Sequence, residues 1–370
     1  MARLDFICRI IMGASPDSST YNDKMEGLPF YQGNADFGEK HPTPRVWCNA
    51  PTKIAEKDDV LISVRAPIGA LNIATEQCCI GRGLAALAVN AEICDTAYLW
   101  YGISSKVDEL NAKGTGSTFK AISRKALEET DIPLPDLPTQ RRIAATLDKV
   151  SEGITVCRQM LADLDTLVKA RFVEMFVGKG YTEKTVHDVL NAGFWLMPAT
   201  PKYVENGSVP YITSKNLKNR QIDFDNVKYI TEEAFESISA NRPTNVGDIL
   251  ISMIGTLGQT AVISDNRKFY GQNLYLLRLN NRIINTDYFC EFFNSDEVQH
   301  ILQGKCNQST QAYLKANHVE DLVLPVPSME EQERFATFVK QIDKSKFVVQ
   351  QQLAELETLK KSLMQEYFNH

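Results

Sequence analysis

Two stretches of the chain carry an apolar repeat of period 3.5. In the first, Ile143, Leu147, Val150, Ile154, Cys157, Leu161, Leu164 and Val168 alternate spacings of four and three. In the second, Phe335, Val339, Ile342, Lys346, Val349, Leu353, Leu356 and Lys360 keep the same phase, with lysine at two of eight positions. Such a seam predicts two long helices that bury a stripe against a partner. Asp136 and Ser328 each follow a proline and suit an N-cap, and Ser328 has Glu331 three residues on, as in a capping box. A helix of about 37 residues spans roughly 55 Å, too long for a small domain to cover. The two are therefore expected to pack on each other. The folded chain between them favours an antiparallel pair about a pseudo-two-fold axis.

Outside the seams the pattern changes to short β-rich runs, Val60–Val64, Leu84–Val89, Ile249–Met253 and Leu274–Leu279, separated by Gly, Asn, Asp and Pro. The order is duplicated. Ser117-Thr118 recurs as Ser309-Thr310, 192 positions on, and at that offset Pro133, Pro135, Gln140, Arg142 and Phe176 match Pro325, Pro327, Gln332, Arg334 and Phe368. Asp59–Ser63 and Gly69 match Asp248–Ser252 and Gly258 at an offset of 189, whereas the starts of the two halves barely align. The expected fold is α+β: two mixed domains, residues 1–135 and 179–327, each followed by a long helix, 136–178 and 328–370, with the helices forming an antiparallel coiled coil.

Composition narrows the chemistry. With 44% apolar and 23% charged residues in 370, the chain is globular, and no apolar run reaches the roughly 18 residues of a membrane span. Eight cysteines without a C-x-x-C point to reduced thiols and a cytoplasmic setting. The net charge of −6 divides into −4 for residues 1–140, +2 for 141–180, −3 for 181–327 and −1 for 328–370. Bulk charge therefore does not advertise a polyanionic partner. There is no G-x-x-x-x-G-K-[ST] loop, no complete dinucleotide fingerprint, no [ND]-P-P-[FY] tetrapeptide and no pair of histidines at i, i+4. No catalytic residue, metal or cofactor is expected.

The segments Ile132-Pro-Leu-Pro135 with Gln140-Arg-Arg-Ile143, and Leu324-Pro-Val-Pro327 with Gln332-Glu-Arg334-Phe335, repeat a strand ending in P-x-P before a helix that opens around a glutamine. Leu28–Gly33 and Val209–Ile212, then Asp59–Gly69 and Asp248–Gly258, precede them in the same order. Over its whole length the chain resembles the specificity subunits of type I restriction–modification enzymes. The resemblance implies a non-catalytic reader of a bipartite duplex target, with one target-recognition domain per half-site and the helices setting the spacer. It implies double-stranded DNA, methyltransferase subunits (expected to number two) and restriction/translocase subunits as partners, with no membrane. Methylation and ATP-dependent cleavage would belong to those partners. A stand-alone two-headed DNA-binding protein is the alternative.

For DNA contact the candidates are Tyr31, Gln32, Asn34, Lys40 and Arg65 in the first half, and Lys113, Lys120 and Arg124 around its Gly-Thr-Gly loop. In the second half they are Ser214, Lys215, Asn216, Lys218 and Arg220, with Lys305, Gln308 and Gln311 around the later loop. Cations and hydroxyls suit phosphate oxygens; Asn and Gln suit adenine, and Arg and Lys suit guanine. Arg65 and Arg82 are equally compatible with surface ion pairs. Helix-pair packing falls to Ile143, Leu147, Val150, Ile154, Leu161, Leu164, Phe335, Val339, Ile342, Val349, Leu353 and Leu356. Gln140, Arg142, Gln332 and Arg334 are the candidates for docking methyltransferase subunits, with helix-start hydrogen bonding as their other reading.

Overall fold

The computed structural model describes residues 1–114, 120–196, 201–205, 207–306 and 312–368. It divides into two compact units. One comprises Met1–Arg158 with the chain from Gln350 onward, the other Gln159–Val349.

The first unit contains strands β1 (Cys8–Met12), β2 (Leu28–Tyr31), β3 (Val60–Ser63), β4 (Leu71–Ile73), β5 (Cys78–Ile80) and β6 (Leu84–Val89) and helix α1 (Thr96–Ser104), and it receives the start of helix α2 (Leu137–Phe176). An antiparallel sheet runs in the order β1–β6–β3–β4, with Leu87 opposite both Ile10 and Val60. Both faces are covered, so β3 reads as an unbroken Val-Leu-Ile run with no polar alternation. Val60, Ile62, Ala85 and Leu87 pack on Tyr98, Leu99 and Leu147, while Leu61, Leu84 and Ala86 pack on Tyr31 and Ile80. The second layer is built on β2 and β5, paired in parallel with Phe30 opposite Cys79 and Tyr31 opposite Ile80.

The second unit repeats this plan with β7 (Leu190–Leu196), β8 (Val209–Ile212), β9 (Ile249–Ser252), β10 (Thr260–Val262), β11 (Tyr270–Gly271), β12 (Leu274–Leu279) and α3 (Thr286–Phe293), then helix α4 (Met329–Phe368). The sheet order is β7–β12–β9–β10, and β8 pairs in parallel with β11. Ile249, Ile251 and Leu277 face the aromatic core of Phe172, Phe176, Tyr288 and Phe335; Leu250 and Leu276 face Tyr211 and Tyr270.

Both long helices begin as the sequence predicts. Asp136 accepts the Thr139 amide at 3.1 Å, while Ser328 and Glu331 exchange hydrogen bonds as a capping box. The helices are antiparallel within each unit. In the second, Asp165 meets Lys346 at 2.6 Å, whereas Phe172 and Phe176, further along, meet the ring of Phe335 edge-on. In the first, Ile143 and Leu147 share a core with Leu363 and Phe368, and Gly153 lies against Leu356. Of the seam, Ile143, Leu147, Ile154, Phe335, Val339, Ile342 and Val349 are buried; Val150, Leu161, Leu164, Leu353 and Leu356 are half-buried. The two seam lysines differ. Lys346 is neutralised by Asp165, whereas burial depresses the pKa of Lys360, Glu39 and Asp148 only partly opposing it.

Two expected docking residues turn out to be structural. Gln140 and Gln332 have no exposed surface. Gln140 Nε2 donates to the carbonyls of Ile93 (2.9 Å) and Pro135 (2.7 Å), and its Oε1 accepts the amide of Asp95, the N-cap of α1 (2.9 Å). Gln332 makes the same three bonds to Ile283, Pro327 and Asn285, the N-cap of α3. A primary amide supplies two donors and an acceptor at once, which is what the junction between helix and head requires. Arg142 and Arg334 remain exposed.

Candidate nucleic-acid interface

In each unit the strand ends meet at one edge, held by backbone hydrogen bonds. In the first unit the β5–β6 turn docks on the end of β2, with the Gly81 amide on Tyr31 O (2.8 Å) and the Gly83 amide on Gln32 O (3.1 Å). The end of β3 joins the same turn through Val64 N to Gly83 O (2.9 Å), and the segment entering the helical region joins it through Ala66 N to Lys120 O (3.2 Å). Ser15 Oγ accepts the Arg82 amide at 3.4 Å, and Lys53 O accepts from Ile80 (2.9 Å). Gly81 and Gly83 are required here, because a Cβ would stand 2.8 Å from Gln32 Cα and 2.5 Å from Gln32 O, respectively. Behind the edge, the Ser63 hydroxyl donates to the carbonyls of Arg65 and Pro67, both at 2.8 Å, and fixes the turn that carries Arg65.

This framework brings Gln32, Lys53, Arg65, Arg82 and Lys120 to one exposed edge, and none of these four cations is ion-paired with a described residue. The Tyr21 hydroxyl nearby has its pKa raised by burial and by the thiols of Cys48 and Cys79, with Arg82 pulling it the other way.

The second unit has the same edge on the same backbone. Met253 N donates to Asn273 O (3.1 Å), Gln272 N to Ile212 O (3.2 Å), and Ile254 bridges to Tyr313 as Arg65 does to Ala121. Ser252 Oγ bonds the Thr256 carbonyl as Ser63 bonds that of Pro67. The side chains, however, are not equivalent. Arg65 is replaced by Ile254 and Lys120 by Ala312, and the turn that carries Arg82 is one residue shorter, with Gln272 and Asn273 standing where Gly81 and Gly83 stand, while Ser214 approaches Gly255 and Lys215 stands exposed beside it.

The expected contact residues divide accordingly. Gln32, Arg65, Lys120, Ser214 and Lys215 lie at the two edges, Asn34 is half-buried, and Lys305 is exposed and unpaired with any described residue. Gln308 and Gln311 lie outside the described residues. Tyr31 and Asn216 are corrections. Tyr31 is 1% exposed within the second-layer core, and Asn216 is a buried capping residue, accepting from Thr213 N (3.0 Å) and donating to Asp223 O (3.0 Å). Arg220 is also committed, to Asp287 at 2.8 Å and Glu291 at 2.9 Å. Lys40 is held by Asp148, Lys113 by Glu109, Arg124 by Glu128, and Lys218 by Asp223, whose hydrogen bond raises the lysine pKa. Arg82, which the sequence leaves open as a surface ion-pair former, pairs with no described carboxylate at this edge, and Gln272 lies in the matching turn of the second unit.

Among the described residues no group of His, Cys, Asp and Glu is arranged to hold a metal ion, and no helix is long and apolar enough to cross a membrane.

The putative type I restriction enzyme MjaX specificity subunit of Methanocaldococcus jannaschii is 42% identical to this chain over 171 residues. That match takes in 46% of this chain and 40% of the relative, less than half the relative's length. The type I restriction enzyme EcoBI specificity subunit of Escherichia coli is 17% identical over 99% of this chain and 84% of its own length. A crystal structure of the S subunit of a type I restriction-modification system from M. genitalium shares the fold, with a TM-score of 0.62 at 16% identity over 99% of this chain and 95% of that one. The model of the type I restriction modification DNA specificity domain matches twice, over residues 1–165 and 178–358. With the duplicated plan of the two units, this double match over most of the chain means that the protein belongs to the type I restriction–modification DNA specificity family.

Proposed function

We propose that this chain is the non-catalytic sequence-recognition subunit of a type I restriction–modification complex acting on cytoplasmic DNA. The heads at 1–135 and 179–327 each read one half of a bipartite duplex target, and the helices at 136–178 and 328–370 set the spacer between the half-sites. Methyl transfer and ATP-dependent cleavage belong to methyltransferase and restriction/translocase subunits.

One observation carries the reading. The two units present the same backbone edge with non-equivalent side chains, as two readers of different base sequences require. Exposed apolar side chains on the long helices, such as Met160, Leu167, Val173 and Phe347, favour the docking of partner subunits there, as do the exposed Arg142 and Arg334. The negative charge of both heads argues against a self-sufficient binder and for partners that supply part of the phosphate-binding surface.

The test is a methylation assay on genomic DNA. The chain alone transfers no methyl group, and mixed with a type I methyltransferase subunit it directs methylation to one bipartite motif. Methylation that is equally sequence-specific without the chain overturns the proposal.

A further inference from the structure

The strand-end edges differ in charge, and that difference has a consequence for how each head holds DNA. Resting on the reading above, we infer that Arg65, Arg82 and Lys120 form the phosphate-anchoring edge of the first head, and that the matching positions of the second head, Ile254, Gln272 and Ala312, bring no charge to the duplex, leaving Lys215 to serve that edge.

Three features favour this assignment over scattered surface charge. The first head carries net negative charge, and Lys40, Arg45, Lys113, Arg124 and Lys125 are each neutralised by a nearby carboxylate. Arg65, Arg82 and Lys120 escape this although they come from three separate segments. Their backbones are tied to one another by the Val64–Gly83 and Ala66–Lys120 hydrogen bonds, so the cluster is built by the fold and does not depend on side-chain chance. Exposed cations without carboxylate partners gain most from phosphate oxygens, because no existing pair has to be broken. In the second head the shorter turn carries Gln272 and no cation, and an amide at that point reads adenine through paired hydrogen bonds and releases no counterion. The two heads therefore contribute unequally to affinity: the first through three anchoring cations, the second through Lys215 beside neutral contacts.

The experiment measures binding of the full chain, in complex with a methyltransferase subunit, to a fluorescent random-sequence duplex of about 30 base pairs between roughly 50 and 200 mM salt. Each phosphate contact contributes about 0.9 to the slope of log affinity against log salt, so the triple variant Arg65→Gln, Arg82→Gln, Lys120→Gln flattens the slope by about 2.7, a salt-dependent loss smaller by roughly 40-fold over that range. The control triple Arg9→Gln, Lys24→Gln, Lys57→Gln removes equal charge from cations that pair with no carboxylate of a described residue. Its sites lie at the start of β1 and just before β2 and β3, at the strand ends opposite the proposed edge, and the control keeps the wild-type slope. Ile254→Arg with Gln272→Arg and Ala312→Lys steepens it. Thermal melts confirm folding, since the three replaced cations pair with no carboxylate of a described residue. An unchanged slope in the edge triple, or equal flattening in the control, overturns the assignment while leaving the recognition role intact. A wild-type complex that binds no duplex at any salt and directs no methylation overturns both.

Discussion

Gln140→Ala tests how each head is fastened to its helix. The side chain is fully buried and makes three hydrogen bonds of 2.7–2.9 Å, all to backbone groups without another partner assigned to them. Each such bond contributes about 0.5–1.5 kcal/mol net, and each backbone group left buried and unpaired costs about 1–3 kcal/mol. Allowing for partial relaxation and water entry, the expected loss is about 3–5 kcal/mol, a large share of the 5–15 kcal/mol typical of a domain. Gln140→Met keeps the volume and loses nearly as much, which separates the polar contribution from cavity formation. Gln140→Glu loses more, because a carboxylate then faces the carbonyls of Ile93 and Pro135. Hydrogen exchange in increasing urea reads the effect. Protection falls first over Asp95–Ser104 and the opening turns of α2 in the Gln140 variants, and over the matching segments of α3 and α4 in Gln332→Ala. A loss below about 1 kcal/mol in both alanine variants would refute the view that these glutamines hold helix to head.

Further predictions follow from the same physical terms. Lys360→Met raises the unfolding free energy by about 1 kcal/mol near neutral pH, whereas Lys346→Met does not, because only Lys346 has a close carboxylate, Asp165. The lowered pKa of Lys360 means that its charge costs stability below that pKa and that the cost vanishes as pH rises past the ordinary lysine range. The advantage of Lys360→Met in denaturant titrations therefore shrinks at alkaline pH. Burial raises the pKa of Asp59, so its contribution is fully present below the ordinary aspartate value and is lost as pH rises through the raised one; Asp59→Asn flattens that part of the pH–stability curve. Its counterpart Asp248 is 2% exposed and paired with Arg278 at 2.7 Å, so Arg278→Met strands a buried carboxylate and costs the second unit about 3 kcal/mol in urea unfolding.

Much of this architecture is legible before any coordinates. The seam from Ile143 to Val168 places the first helix because a 3.5 period sustained over several turns has few alternative explanations, and Asp136 and Ser328 mark the starts because their side chains satisfy otherwise orphaned amides. The runs from Val60 and Leu84 locate the central strands because both faces of that sheet are buried. The site is harder to see. Exposure and charge pairing depend on partners distant in sequence, so the cluster around Lys215–Arg220 reads as an open polar loop although Arg220 is held by Asp287 and Glu291, nearly 70 residues away. Gln140 resembles a surface residue on a helix start because nothing local announces that the N-cap loop of α1 folds over it. Arg82 lies in a Gly-Arg-Gly turn whose closeness to Arg65 and Lys120 exists only once the strands have paired.

The central claim is a division of labour between two heads on shared helices. Its most direct test replaces residues 181–327 with the second head of a relative of known target and maps methylated positions across the genome of cells carrying the chimera together with the methyltransferase subunit. The account predicts that one half-site changes to the donor's sequence while the other half-site and the spacer length stay as they were. A change in both half-sites, or in the spacer, would contradict it.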